Sequence, residues 1–187
     1  MRKLGAFIQV SLDGYFAGPD GDISFAHKDP NDSEWNSFVA GNAKDGGALV
    51  FGRITYEMMA SYWPTPMAAQ NNAAVAERMN AMPKFVFSRT LGKASWANTT
   101  LLKGDLAAEI RKLKAAPGPD MAILGSGSIV AQLARERLID GFQIVVCPLV
   151  LGGGKRLFDG VKDMLNLKLM QSRAFGNGSV LLCYAPA

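Results

Sequence analysis

Met121-Ala122-Ile123-Leu124-Gly125-Ser126-Gly127-Ser128-Ile129-Val130 passes from a short apolar run, through four small residues, into a helical pattern that continues to Arg135. The run Met121 to Leu124 reads as a buried strand and Ser128 to Arg135 as a helix. A strand that feeds a helix through so short a turn is the repeating unit of an α/β sheet. The small residues let a backbone come close to a ligand, and a helix N-terminus there offers unpaired N–H groups suited to a pyrophosphate. The segment lacks the third glycine of the dinucleotide-binding fingerprint, so the match to that motif is poor.

The same alternation holds on both sides of this stretch. Leu4 to Val10 reads as a first strand, followed by a Gly- and Asp-rich loop from Ser11 to Ile23. Asp32 or Ser33 caps a helix carrying Trp35, Phe38 and Val39 on one stripe. Ala48 to Phe51 is a strand and Thr55 to Tyr62 a helix; Thr65-Pro66 opens another helix, with threonine as the cap and proline in the first turn. Strands follow at Lys84 to Phe87 and Thr99 to Leu102, then a helix capped by Asp105 with Leu106, Ile110 and Leu113 on one face. After the opening stretch come a strand from Phe142 to Val146 and two runs, Leu167 to Phe175 and Ser179 to Tyr184, around Gly176-Asn177-Gly178. That spacing is a hairpin signal. The expected fold is an α/β domain spanning 1–187, with a mixed, mostly parallel sheet flanked by helices and ending in an antiparallel hairpin.

Ligands in open α/β sheets bind beyond the carboxyl ends of the strands. Three such ends carry anion-binding chemistry: Gly52-Arg53-Ile54-Thr55, Ser88-Arg89-Thr90 and Gly125-Ser126-Gly127-Ser128. Two arginines and a small-residue loop suit a dinucleotide with an extra phosphate, NADPH over NADH. Each motif has a plainer reading. Arg53 could pair with Glu57 one turn later, Ser88 to Thr90 could be a solvated turn, and Asp13-Gly14 could be only a turn. Asp32 and Glu34 could be first-turn carboxylates placed by the helix dipole. Gly152-Gly153-Gly154-Lys155-Arg156 reads as a flexible turn, or as a loop closing on an anionic substrate.

The chain has 187 residues, 49% of them hydrophobic, and a net charge of +4. That suits a globular domain and mildly favours an anionic ligand. There is no basic stripe for nucleic acid, and no apolar run long enough for a membrane span. The two cysteines, Cys147 and Cys183, each sit in an apolar run, as expected of free thiols in a reducing cytoplasm. His27 stands alone and no Cys-x-x-Cys occurs, so no metal site is expected. The apolar terminal hairpin, with an uncovered edge, suggests a homodimer.

Phe51-Gly52-Arg53-Ile54-Thr55-Tyr56-Glu57, Phe87-Ser88-Arg89 and Ile123 to Ile129 resemble, in order and spacing, motifs of the dihydrofolate reductase-like superfamily. Ser11-Leu12-Asp13-Gly14 and Pro148 to Gly154 resemble in particular the reductase half of bacterial riboflavin-biosynthesis deaminase/reductases. The resemblance runs from Leu4 to Tyr184. It implies that Gly52, Arg53, Thr55, Ser88 and Arg89 hold the adenosine and phosphate end of NADPH. It places Gly125, Ser126, Gly127 and Ser128 on the pyrophosphate, and Val10, Ala17 and Gly18 near the nicotinamide. It also offers Asp13 and Glu34 as catalytic carboxylates. The glycine-hinged loop Gly152-Gly153-Gly154 in turn offers Lys155 and Arg156, which follow it, as substrate cations. The family's glycine pair is joined by a cis peptide; here that pair is Gly125-Ser126.

The departures narrow the activity. The zinc signature of the deaminase half is missing. No Lys or Arg lies between Arg53 and Arg78, where a folate enzyme grips a glutamate tail. The implied activity is NADPH-dependent reduction of a small heterocyclic or sugar-derived substrate, such as a ribosylated aminopyrimidine. The alternatives are dihydrofolate reduction and NADPH binding without catalysis.

Overall fold

A computed structural model describes residues 1–44 and 47–187. The elements in chain order are β1 (Leu4–Ser11), β2 (Tyr15–Ala17), a 3-10 turn (Ser24–Ala26), α1 (Ser33–Lys44), β3 (Ala48–Gly52), α2 (Arg53–Tyr62), α3 (Pro66–Ala81), β4 (Lys84–Phe87), β5 (Thr99–Leu102), α4 (Leu106–Ala115), β6 (Met121–Ile123), α5 (Gly127–Arg135), β7 (Gly141–Cys147), β8 (Lys155–Arg156), β9 (Leu167–Ala174) and β10 (Val180–Pro186). The main sheet has eight strands in the order β5-β4-β3-β6-β1-β7-β10-β9. From β5 to β7 neighbours run parallel, and β10 and β9 close one edge as an antiparallel hairpin.

The expected caps form. Asp32 Oδ1 accepts from Trp35 N–H (2.9 Å), Thr65 Oγ1 from Ala68 N–H (3.3 Å) and Asp105 Oδ1 from Ala108 N–H (2.9 Å). Each satisfies a helix-start donor that would otherwise lack a partner.

Strand alternation sorts the side chains onto two faces. Leu4, Ala6, Ile8 and Val10 of β1 pack with Ile123, Phe142 and the inner faces of α4 and α5. The opposite face carries two separate clusters. One joins Leu49, Phe51 and Val86 to α2 and α3; the other joins Val145 and Leu181 to Trp35 of α1 and Phe175. Between them the sheet presents Gly5 of β1 and Ala122 of β6, two residues too small to fill the gap. A cleft opens there.

The structure corrects the expected element map around β1 and β7. Ser11 to Ile23 is not all loop, and the glycine-rich segment leads into a short strand at Lys155–Arg156. β2 and β8 pair antiparallel as a second, two-stranded sheet, with Ala17 opposite Lys155 and Tyr15 opposite Arg156. Strands of two and three residues leave no legible alternation. Their pairing depends instead on a backbone approach at Gly154, whose missing Cβ would fall on the Ala17 carbonyl oxygen.

Candidate active site

The cleft has a volume of about 1070 Å3 and runs along the sheet from the carboxyl ends of β1, β3 and β6 towards their amino ends. At its mouth two helices begin side by side. The first N–H groups of α2 follow Gly52 and those of α5 follow Ser126, and neither start carries a side-chain cap. Gly52 N–H donates to Gly125 O at 3.3 Å and ties the two turns together. The Gly125-Ser126 peptide is cis. Ser126 Oγ and Ser128 Oγ lie 2.6 Å apart at the start of α5. Two uncapped helix starts plus two hydroxyls form a donor set for a phosphate chain.

The two glycines also admit neighbouring side chains of the protein. A Cβ on Gly125 would stand 2.9 Å from Thr55 Oγ1, and one on Gly127 would enter the Phe16 ring. Both glycines make room for protein side chains. Phe16 therefore packs against the Cα of Gly127, and Thr55 is buried against Gly125.

Register places the adenosine-end candidates together. Gly52 of β3 stands opposite Phe87 of β4, so Arg53 and Ser88-Arg89 leave adjacent strand ends. Arg53 pairs with Glu57 at 2.9 Å, both side chains close to half exposed. Such a pair is worth roughly 0–1 kcal/mol, so a phosphate could recruit Arg53 at small cost. Ser88 Oγ accepts from Thr90 N–H and Leu91 N–H (3.2 and 2.9 Å), the plainer turn reading, with Arg89 exposed within it.

Other expected residues are placed differently. Ala17 lines the cleft, but Val10 points into the α4/α5 core and Gly18 sits in a turn, donating to Asp22 O at 2.8 Å. Asp13 accepts from Leu151 N–H and Gly152 N–H (3.0 and 2.8 Å). The Ser11 hydroxyl, then these backbone donors, hold its carboxyl down to about 2. Asp13 anchors the β7–β8 connection and is absent from the cleft wall. Glu34 accepts from Gly176 N–H and Arg173 (both 2.8 Å) and is held below the ordinary carboxylate range by Gly176 first and Arg173 second. With Asp32, which accepts from Asn177 Nδ2 at 2.7 Å, it fastens the terminal hairpin to α1, also outside the cleft. Lys155 reaches the cleft beside Asp20 and Gly21. Arg156 instead lies over the Tyr15 ring, 5.4 Å from its centroid, and donates to the Tyr15 hydroxyl at 3.4 Å.

The residues that line the inner cleft went unassigned in the sequence. Gln9, Gln143 and Asn42 supply amides, and Trp35, Val39, Met58, Trp63 and Met79 supply apolar wall. Met58 and Trp63 read as ordinary packing, because helical spacing alone does not tell a core stripe from a cleft stripe.

The RibD C-terminal domain model matches residues 2–181. The chain belongs to this family. The uncharacterized protein YyaP of Bacillus subtilis (strain 168) is 29% identical over 98% of this chain and 94% of its own. Among solved structures, a Shewanella sp. PV-4 protein with a proposed role in riboflavin biosynthesis matches with a TM-score of 0.76 and 26% identity, over 99% of each chain. The diaminohydroxyphosphoribosylaminopyrimidine deaminase/5-amino-6-(5-phosphoribosylamino)uracil reductase of Thermotoga maritima matches with a TM-score of 0.69 and 13% identity, over 100% of this chain and 57% of that one. Dihydrofolate reductase of Enterococcus faecalis, complexed with NADP(H), matches with a TM-score of 0.64 and 14% identity, over 98% and 96%. The last two likenesses establish the fold, a mostly parallel dihydrofolate reductase-like sheet. The family supports a reductase-type function.

Proposed function

We propose that this RibD-type domain is an NADPH-dependent reductase acting in the cytoplasm as a homodimer. The observation that carries the reading is the meeting of two uncapped helix starts, α2 and α5, at the mouth of a large apolar cleft. The donor set there fits a phosphate chain, Arg53 and Arg89 on neighbouring strand ends fit an additional phosphate, and the cleft gives a nicotinamide a dry place beside a substrate. Bound NADPH would supply a hydride from its nicotinamide C–H bond to a C=O or C=N carbon, the π electron pair moving to the oxygen or nitrogen, which takes up a proton. The protein's own task is then orientation and exclusion of water. Asp120 accepts from Lys3 N–H (2.7 Å), and Asp140 pairs with Lys114 (2.6 Å), so these two cleft-lining acids are already engaged. The third acid of the lining, Asp20, stands at the mouth beside Lys155, and it or an ordered water would supply the proton.

Titration with NADPH and NADH tests the cofactor assignment. NADPH binds more tightly, and Arg89→Ala loses about 1.5–3 kcal/mol of that preference. Equal affinities in the native protein remove the additional-phosphate site. Turnover with any carbonyl or imine substrate separates an enzyme from a binding protein. The ribosylated aminopyrimidine reading takes Lys155 or Arg156 as the partner of a substrate phosphate, beside the lack of a cation between Arg53 and Arg78. With Arg156 held on Tyr15, only Lys155 remains for a substrate phosphate.

A further inference from the structure

The cleft is chemically divided. Its mouth carries Ser126, Ser128, Asp20 and Lys155, whereas its inner part is walled by Trp35, Val39, Met58, Trp63 and Met79 over a floor of Phe7 and Ala122. Polarity inside comes from amides and from Asp120 and Asp140, whose carboxylates are engaged by Lys3 N–H and Lys114. Gln9 of β1 and Gln143 of β7 lie on adjacent strands, with Phe7 opposite Gln143 and Gln9 opposite Val145. Asn42 Nδ2 donates to Gln143 Oε1 at 3.4 Å, a contact that does not use the Gln143 NH2 group. An amide NH2 is a donor for a neutral carbonyl. A phosphate or carboxylate drawn among tryptophan and methionine side chains would lose its hydration, and the cation beside this wall, Lys28, is already engaged, its Nζ 5.5 Å from the Trp35 ring centroid and donating to Cys147 Sγ at 3.2 Å. Thioethers adapt to flat, irregular apolar shapes and make favourable contacts with aromatic rings.

Resting on the reductase reading above, we propose that the inner cleft takes an uncharged, largely apolar, flat carbonyl compound of the aromatic ketone or quinone class, oriented by the amides of Gln9 and Gln143. The volume of about 1070 Å3 exceeds what one small ligand needs and accommodates such a compound beside the reacting end of a cofactor. Lys155, the cation at the mouth, stands beside Ala17 on β2 and so serves the cofactor end of the cleft.

The test measures binding apart from turnover. Phenanthrenequinone is titrated into the protein and followed by quenching of tryptophan fluorescence, to which Trp35 and Trp63 contribute from the cleft wall. NADPH affinity is measured separately by calorimetry. The quinone quenches saturably, with the same affinity at roughly 50 mM and 500 mM NaCl, because no ion pair is screened. Met58 is 39% exposed, so Met58→Lys folds while placing a charge in the wall; it weakens quinone binding by about tenfold. Val39→Lys does the same from α1, and in both variants quinone affinity falls by more than NADPH affinity. The inference is overturned if the quinone fails to quench. It is equally overturned if 5-amino-6-(5-phosphoribosylamino)uracil, the substrate in the Thermotoga enzyme's name, binds more tightly than the quinone and tighter still to Met58→Lys. Absence of NADPH binding with quinone binding intact overturns the reductase reading instead.

Discussion

Three consecutive glycines between β7 and β8 give a matched set of alanine substitutions with different expected costs. Gly153 has an ordinary φ and open space where a Cβ would go. Gly153→Ala is therefore neutral or stabilising by about 0.4–1 kcal/mol, through a less flexible unfolded chain. Gly152 also has open space, but its φ is +72°. Gly152→Ala costs about 1–2 kcal/mol from the left-handed backbone alone. Gly154 has a φ of +132°, and its added Cβ would collide with the Ala17 carbonyl oxygen. That oxygen is backbone and cannot rotate aside. Strain of about 1–3 kcal/mol adds to an overpacking cost of about 1–3 kcal/mol, unless β8 lets go of β2. Letting go is the cheaper course, since the pairing involves so few residues. In a chain of this length each 1 kcal/mol moves Tm by about 2–4 °C. Gly152→Ala then lowers Tm by about 2–8 °C. Gly154→Ala lowers it by less than its summed cost but loses NADPH affinity, because Ala17 and Lys155 no longer hold the cleft mouth. Thermal unfolding and NADPH titration of the three variants provide the check. A Gly154→Ala protein with native Tm and native affinity, or a Gly153→Ala protein as damaged as Gly154→Ala, would refute the role given to this backbone contact.

Three further outcomes are expected. The Asp13 carboxyl is held down to about 2 from 3.8, so its contribution is present above the unfolded value and is lost as pH falls from 3.8 towards 2; acid unfolding monitored for Asp13→Asn lacks that segment of the native curve. Lys84 is fully buried, its Nζ donating to the carbonyls of Asn80, Met82 and Ala97 and lying 4.4 Å from the Trp96 ring centroid, and burial lowers its pKa to about 8 from 10.5. The unfolded chain binds the extra proton between those values, so native stability rises relative to Lys84→Met as pH goes from 8 to 10.5; parallel denaturant curves in both proteins would show otherwise. The edge strand β9 is exposed along all eight residues, including Leu169 and Met170; a dimer formed there is broken by Leu169→Lys, and light scattering that gives a native monomer at high concentration removes the dimer.

Elements with a long apolar period and a polar start were legible in the sequence. Asp32, Thr65 and Asp105 cap where their side chains and the following stripes indicate, because capping is local chemistry. The hairpin around Gly176-Asn177-Gly178 forms for the same local reason, with Gly178 at a φ of +84°. The pairing of β2 with β8 was not legible, because it depends on a contact between Gly154 and Ala17, far apart in sequence. The division of the α1, α2, α3 face into two clusters was equally hidden. It follows from Gly5 and Ala122 standing together on adjacent strands, and neither residue signals in isolation that its neighbour is also small.

The candidate carboxylates show how far residue type reaches. Asp13 and Glu34 each sit at a turn or helix start near a site, which makes them plausible acids on paper. In the fold each accepts two or more donors from a segment remote in sequence: Leu151 and Gly152 for Asp13, Gly176 and Arg173 for Glu34. Those donors favour the charged form and depress both pKa values, the opposite of what a proton donor near neutral pH requires. A carboxylate that closes a loop and one that delivers a proton have the same sequence signature. Only the partners tell them apart, and here the partners tie both acids to segments around the cleft, whereas Gln9, Gln143 and Asn42, with the engaged acids Asp120 and Asp140, line it.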